Sequence, residues 1–209
     1  LVVWIGPELT PWLANALDTR PAGAAALALL DAETTQRMAY ADAEPAEADH
    51  DDHSHDDTDP HAWLDPQNAK VWLQLIAADL SRLDPENAAA YAANAAAATD
   101  RITALDAELA ALLAPVKGKP IVTFHAAYGY FFAHYGLDFA GSIALGDAAS
   151  PGAAHLSELR STLQAGDALC IFPEAQHDPD MVQQMAEGNS VKVGGALDPV
   201  GSSLEPGPG

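Results

Sequence analysis

The chain of 209 residues has a single cysteine, and only 9 lysines and arginines against 30 aspartates and glutamates, for a formal charge of -21 at neutral pH. Its one thiol, Cys170 in the apolar run ALCIF, closes no internal disulfide and reads as a small buried hydrophobe. So little basic charge excludes nucleic acid and anionic membrane as partners, while the acidic excess is suited to attracting cations. Long apolar runs are missing too: nothing approaches the roughly 18 residues of a membrane span. There is no basic n-region before LVVWIGPEL and no initiator Met, so the first residues read as a strand leading into a turn and not as a signal peptide. The tail, GSSLEPGPG, has no closing element, and with both ends looking cut the chain is expected to be a piece of a longer protein. HExxH pairing and a recognisable nucleophile–base constellation are also lacking, which counts against a hydrolase.

What is present starts with hydrophobic content of 49%, enough to bury a real core as one large domain or two small ones. The most informative stretch is HDDHSHDDTDPHAWLDP, residues 50–66. Its first half, within an acidic loop of about 41–58, holds carboxylates and the imidazoles of His50, His53 and His55 with almost nothing to pack. It reads as a mobile segment that captures divalent cations weakly, or as a plain solvated charged run. The second half is stiff. Pro60 and Pro66 fix φ, Trp63 and Leu64 can pack, and Asp65-Pro66 is an N-cap followed by proline at the first helical position. His61 therefore sits on a rigid elbow directly after a cation-collecting loop.

Around that stretch the pattern predicts a strand at Leu1–Ile5, a helix near Glu8–Leu17, and an Ala/Leu-rich segment running into a short strand or turn. After Asp65-Pro66 a helix carries Trp72, Ile76, Leu80 and Leu83 on one face. Asp84-Pro85-Glu86 then caps a long helix whose apolar series is Tyr91, Ala95, Ala98, Ile102, Leu105, Leu109 and Leu112, ended by Pro115 and Gly118. At 1.5 Å per residue it spans about 40 Å, a rigid spine between two lobes. Strand–helix alternation follows: strand Pro120–Phe124, aromatic helix Tyr128–Tyr135 closed by Gly136, strand Leu137–Ile143, and a helix capped by Ser150-Pro151 and running to about Gln164. Strand Ala168–Phe172, a helix capped by Asp178-Pro179 and a last strand Val191–Leu197 complete it. This is α/β: two lobes, each a parallel sheet flanked by helices, joined by one long spine helix. The expected divisions are 1–84 for the remainder of the N-terminal lobe, 85–114 for the linking helix, and 115–209 for the C-terminal lobe.

In open parallel sheets ligands bind beyond the carboxyl ends of strands. His125 ends PIVTF, Glu174 follows CIFP, and Asp198 follows VGGAL. Imidazole nitrogen with carboxylate oxygen is a normal zinc set. Each residue also has a plain reading: His61 as a capping or surface histidine, His125 as a satisfied core histidine, Glu174 and Asp198 as turn or cap carboxylates. His134, His155 and His177 show no ligand spacing and read as helix or loop surface.

DPHAWLDP, the His/Asp loop before it and VTFHAAYGYFFAHYGL, followed by SPGAAHLSELRSTLQ, CIFPEAQHDP and GGALDPVG, resemble in order and spacing the zinc-specific solute-binding proteins of bacterial ABC importers, the ZnuA type of the cluster A-I family. WIGPEL with Trp12-Leu13 matches the family's early strand and turn, so the resemblance covers nearly the full length. It implies two α/β lobes joined by one long helix, a metal in the cleft between them, a periplasmic location, delivery to a membrane permease, and no catalysis. His61 falls on the ligand of the DPHxW motif and His125 on that of the FHDAYGYF-like motif. Asp198 falls where several relatives, manganese binders among them, place a carboxylate ligand. Three departures stand out: the family's first histidine ligand lies upstream of residue 1, Cys170 matches a cysteine that in some relatives pairs with one nearer the C-terminus, and Thr10 and Ala126 replace common acidic residues.

The expected function is therefore capture of zinc(II) by a monomer, through His61, His125 and a further histidine, with Asp198 or a water completing the coordination. Protonation of imidazole ligands weakens such binding below about pH 6. The alternatives are a manganese- or iron-binding member of the family, which two histidines and two carboxylates would favour, a zinc hydrolase with Glu174 as general base, and a metal buffer without a permease.

Overall fold

The computed structural model describes residues 1–21, 23–40, 58–144, 146 and 151–206. The accessory loop expected over 41–58, with His50, His53 and His55, lies outside the described residues apart from Thr58. The chain is α/β and forms two compact units, one of Leu1–Ala39 with the described residues from Thr58 to Leu112, the other of Tyr40 with the described residues from Leu113 onward.

In the first unit, β1 (Val2–Trp4) and β2 (Ala26–Ala28) pair in parallel, with Val3 opposite Leu27, and α1 (Pro11–Asp18) is the crossover. Helix α1 begins later than Glu8 because Pro11 takes its first position, where a missing N–H costs nothing. Beyond β2 the chain keeps pairing, Leu29 N–H to the Trp4 carbonyl and Leu30 N–H to the Ile5 carbonyl, each at 2.9 Å. Leu30 is wholly buried there.

Helix α2 (Pro66–Leu83) starts where the sequence predicts, with the Asp65 carboxylate accepting from Gln67 N–H at 2.8 Å. Its long partner α3 (Ala88–Leu113) has 26 residues, about 39 Å at the ordinary rise. The covered stripe of α3 differs from the predicted one in its last turns: Leu105 and Leu112 are exposed, and Asp106 and Leu113 take the half-buried positions. The reason is polar. Asp106 accepts from Gln67 Nε2 at 3.3 Å and pairs with Lys70 Nζ at 3.5 Å, both on α2, which draws that carboxylate inward at the expense of a leucine. At the sequence level α3 ends at the boundary between the units, and it clusters with the first of them.

The second unit is a four-stranded parallel sheet in the order β4-β3-β5-β6, made of β3 (Ile121–His125), β4 (Phe139–Ala144), β5 (Cys170–Phe172) and β6 (Lys192–Val193). Helices α4 (Gly129–Tyr135), α5 (Ala153–Ala165) and α6 (Asp180–Ala186) make the crossovers. Val122, Ile143, Leu159, Leu163, Ile171, Val182 and Met185 pack as one core. Gly136 closes α4 at φ +62, a left-handed conformation that favours glycine. The predicted final strand Val191–Leu197 is shorter: after Val193 the chain leaves the ladder, and Leu197 returns only as a single parallel bridge to Glu174. The break falls at Gly194, whose backbone lies so close to the Phe172 ring that no side chain fits.

Candidate metal site

The strand order determines what meets at the sheet's carboxyl end. From β3 the chain winds one way to β4 and then, through α5, crosses to β5 and β6 on the other side, so β3 and β5 are neighbours at the topological switch point. Thr123 pairs with Phe172, which carries His125, at the end of β3, level with the residues just past β5. Glu174 is held there by its own neighbours: Leu197 N–H donates to the Pro173 carbonyl and Ala175 N–H to the Leu197 carbonyl, both at 2.8 Å.

His125 and Glu174 are consequently a buried pair. Nδ1 of His125 lies 2.6 Å from Glu174 Oε2, and the backbone N–H of His125 donates to Oε1 of the same carboxylate at 3.3 Å. A carboxylate accepts only, so Nδ1 carries the proton and Nε2 holds the lone pair that a metal needs. A carboxylate behind the ring both orients such a ligand and raises its basicity.

The first unit builds the same device by a local route. His61 caps a short 3-10 turn, Ala62–Leu64, and is buried, as is Asp59. Asp59 Oδ1 accepts from both the His61 backbone N–H at 2.9 Å and ring Nδ1 at 2.6 Å. Asp59 itself is pinned by its N–H to the Met38 carbonyl at 2.8 Å. Trp63 flanks the His61 ring, centroids 5.1 Å apart. Behind them the buried Asn68 ties Gln36 to Ala62: Oδ1 accepts from Gln36 N–H at 2.8 Å, and Nδ2 donates to the carbonyls of Gln36 at 3.0 Å and Ala62 at 3.1 Å. Each imidazole thus has a carboxylate taking both its ring proton and its main-chain proton, one across two residues and one across a sheet.

Asp198 is placed differently. Its carboxylate organises the turn that follows, accepting from Gln176 Nε2 at 2.6 Å, Ser202 N–H at 3.0 Å, Ser203 N–H at 2.6 Å and the Ser203 hydroxyl at 2.5 Å. The Ser203 hydroxyl and amide, with further help from Ser202 N–H and Gln176, hold its carboxyl far below the ordinary carboxylate range.

Sequence reasoning missed Asp59 and Glu174 as partners of the two histidines, and it missed the neighbours of His177. That residue lies in a loop and is partly exposed, as expected, but its ring stacks on Phe124, centroids 4.2 Å apart, with Nε2 3.8 Å from Glu174 Oε2. His125, Glu174 and His177 each offer a ligand atom within 4.8 Å of the others. The Asp-x-His spacing of 59 and 61 was a readable sign of a side chain bonding its backbone two residues on. The Glu174 partnership had no such sign, since it needs β5 beside β3.

Parallel sheets with helices on their faces, and imidazoles steadied by carboxylates at turn and strand ends, define a class of protein: an α/β solute-binding protein for a metal cation. Over residues 1–209 the chain matches the family described as the zinc-uptake complex component A, periplasmic, and it belongs to that family. It is 47% identical over 231 residues to the high-affinity zinc uptake system protein ZnuA of Paracoccus denitrificans (strain Pd 1222), covering all of this chain and 71% of that protein. It is 34% identical over 242 residues to the protein of the same name from Brucella abortus (strain 2308), again covering all of this chain and 71% of that protein. Among solved structures, a crystal structure of ZnuA superposes with a TM-score of 0.76 at 25% identity, covering 96% of this chain and 72% of that one. The solute-binding protein FpvC of Pseudomonas aeruginosa, in complex with manganese, has the same fold, with a TM-score of 0.76 at 23% identity over 95% of this chain and 69% of that one.

Proposed function

We propose that this chain captures zinc(II) in the periplasm and hands it to the membrane permease of an ABC importer, as a monomer and without catalysing a reaction, with His61 and His125 as zinc ligands through Nε2. The observation that carries the reading is the matched pair of buried imidazoles, each with Nδ1 2.6 Å from a carboxylate. That hydrogen bond leaves the second ring nitrogen as the donor and prepays its orientation, which is what a zinc ligand requires. With the further histidine that the family supplies, three imidazoles favour zinc over harder ions, which prefer oxygen-rich sets. Glu174, whose two oxygens serve His125, is a poor general base for a metal-bound water, and this weighs against hydrolysis. A further histidine is the third ligand, and Asp198 or a water completes the coordination, Asp198 by releasing Gln176, among the described residues the donor to it from outside its own turn.

Zinc titration of the full-length protein against a competing chelator tests the assignment. His61→Ala and His125→Ala each lower affinity by at least about tenfold, the scale of losing even an outer partner of a ligand. An unchanged affinity in His125→Ala removes the site. Hydrolytic activity lost in Glu174→Ala would instead restore the enzyme reading.

A further inference from the structure

We infer that the second unit holds zinc by itself, on His125, Glu174 and His177, as a set distinct from the one that includes His61; the inference rests on His125 being a zinc ligand. The residues come together through two independent constraints. The β3–β5 pairing puts Glu174 against His125, and the turn after β5 puts His177 three residues on, its N–H donating to the Glu174 carbonyl at 3.2 Å. One nitrogen from each imidazole and one carboxylate oxygen make a normal zinc donor set, and the ligand atoms lie within 4.8 Å of one another.

A tetrahedral zinc with bonds of about 2.0–2.2 Å holds its donors roughly 3.3–3.6 Å apart, so His177 Nε2, 3.8 Å from Glu174 Oε2, closes in while the 2.6 Å contact between Oε2 and His125 Nδ1 opens. His177 is the element that moves. Its side chain is 27% exposed while that of Glu174 is 1% exposed, and the ring rests against Phe124 at an interplanar angle of 21°, a contact along which it slides without unpacking the core. Glu174 makes the complementary change. Its Oε2, now 2.6 Å from His125 Nδ1 and 3.8 Å from His177 Nε2, exchanges a hydrogen bond for a bond to the cation; the Nδ1 proton leaves to water as zinc enters, and His125 ligates this ion through Nδ1. A buried carboxylate flanked by two imidazoles offers a divalent cation the counter-charge that a purely neutral donor set lacks. The partly exposed position of His177 makes it the entry side of this set.

The experiment compares His61→Ala with His61→Ala/His177→Phe in the full-length protein; phenylalanine keeps the stacking surface against Phe124. Zinc is titrated against a competing chelator, the bound state is characterised by zinc K-edge absorption for the number of imidazoles, and thermal unfolding without metal checks that both variants fold. The expected result is that His61→Ala still binds zinc with two imidazoles, and that the added His177→Phe weakens it by at least about tenfold and leaves one imidazole. Equal affinity and equal imidazole count in the two variants overturn the inference, as does a folded His61→Ala protein that binds no zinc. If His61→Ala matches the unaltered protein, the assignment of His61 fails instead, and the effect of His177→Phe in that background still decides the present question.

Discussion

Asp59→Asn tests the idea that a carboxylate behind the imidazole sets its readiness for zinc. Asn and Asp have the same shape, so the substitution keeps one oxygen in place for the His61 backbone N–H at 2.9 Å and for ring Nδ1 at 2.6 Å. What it removes is the charge. A hydrogen bond to a charged group contributes about 1.5–3 kcal/mol and a neutral one about 0.5–1.5, so roughly 1–1.5 kcal/mol is lost, or about tenfold in a binding constant. Zinc polarises the imidazole and strengthens its N–H bond to the carboxylate, which places the loss mainly in the bound state. If the new amide instead turns its NH2 toward the ring, Nδ1 must accept and the proton moves to Nε2, the nitrogen meant for the metal, and the fall approaches about a hundredfold. Chelator-competition titration at fixed neutral pH gives the affinity, and 15N signals of the imidazoles report which nitrogen carries the proton. Affinity within about twofold of the unaltered protein, in a variant that folds, refutes the role of Asp59. A proton found on Nε2 of His61 in the unaltered protein refutes the tautomer argument directly.

Asn68→Ala deletes the side chain that bridges Gln36 and Ala62 by three hydrogen bonds, and at about 0.5–1.5 kcal/mol each it destabilises the first unit by roughly 2–4 kcal/mol in denaturant unfolding, with zinc affinity falling as the turn after His61 loosens. Gly194→Ala drives a methyl into the Phe172 ring and costs about 1–3 kcal/mol, measured as a lower unfolding midpoint; an unchanged midpoint would mean the ring yields freely. The Asp198 carboxyl is depressed by its Ser203, Ser202 and Gln176 donors, so the turn it holds is fully present above the unfolded value of about 3.9 and is lost only as pH falls below it. Amide signals of Ser202 and Ser203 therefore stay constant down to that value and move only at lower pH; a midpoint at the ordinary value would show that those bonds give the ionised form no advantage.

The sequence by itself determined what depends on neighbours along the chain. Asp65-Pro66 started α2 because a cap and a proline act within one turn. Apolar runs alternating with helical periods specified α/β and a parallel sheet, and the Asp-Pro-His segment put His61 on a rigid turn with its carboxylate two residues away. Histidine at the end of an apolar strand marked His125 as a residue displayed at a sheet edge. Only the tertiary structure decided the order β4-β3-β5-β6, and with it the meeting of His125 and Glu174 across 49 positions of sequence, because strand order is settled by crossover packing and not by local propensity. The same holds for His177, which looks like loop surface until Phe124 is found beneath its ring, and for Asp106, which displaces a leucine from the covered stripe of α3 because α2 presents Gln67 and Lys70 to it. Periodicity records which residues can be buried together; which polar groups their neighbours then require is a property of the packed molecule.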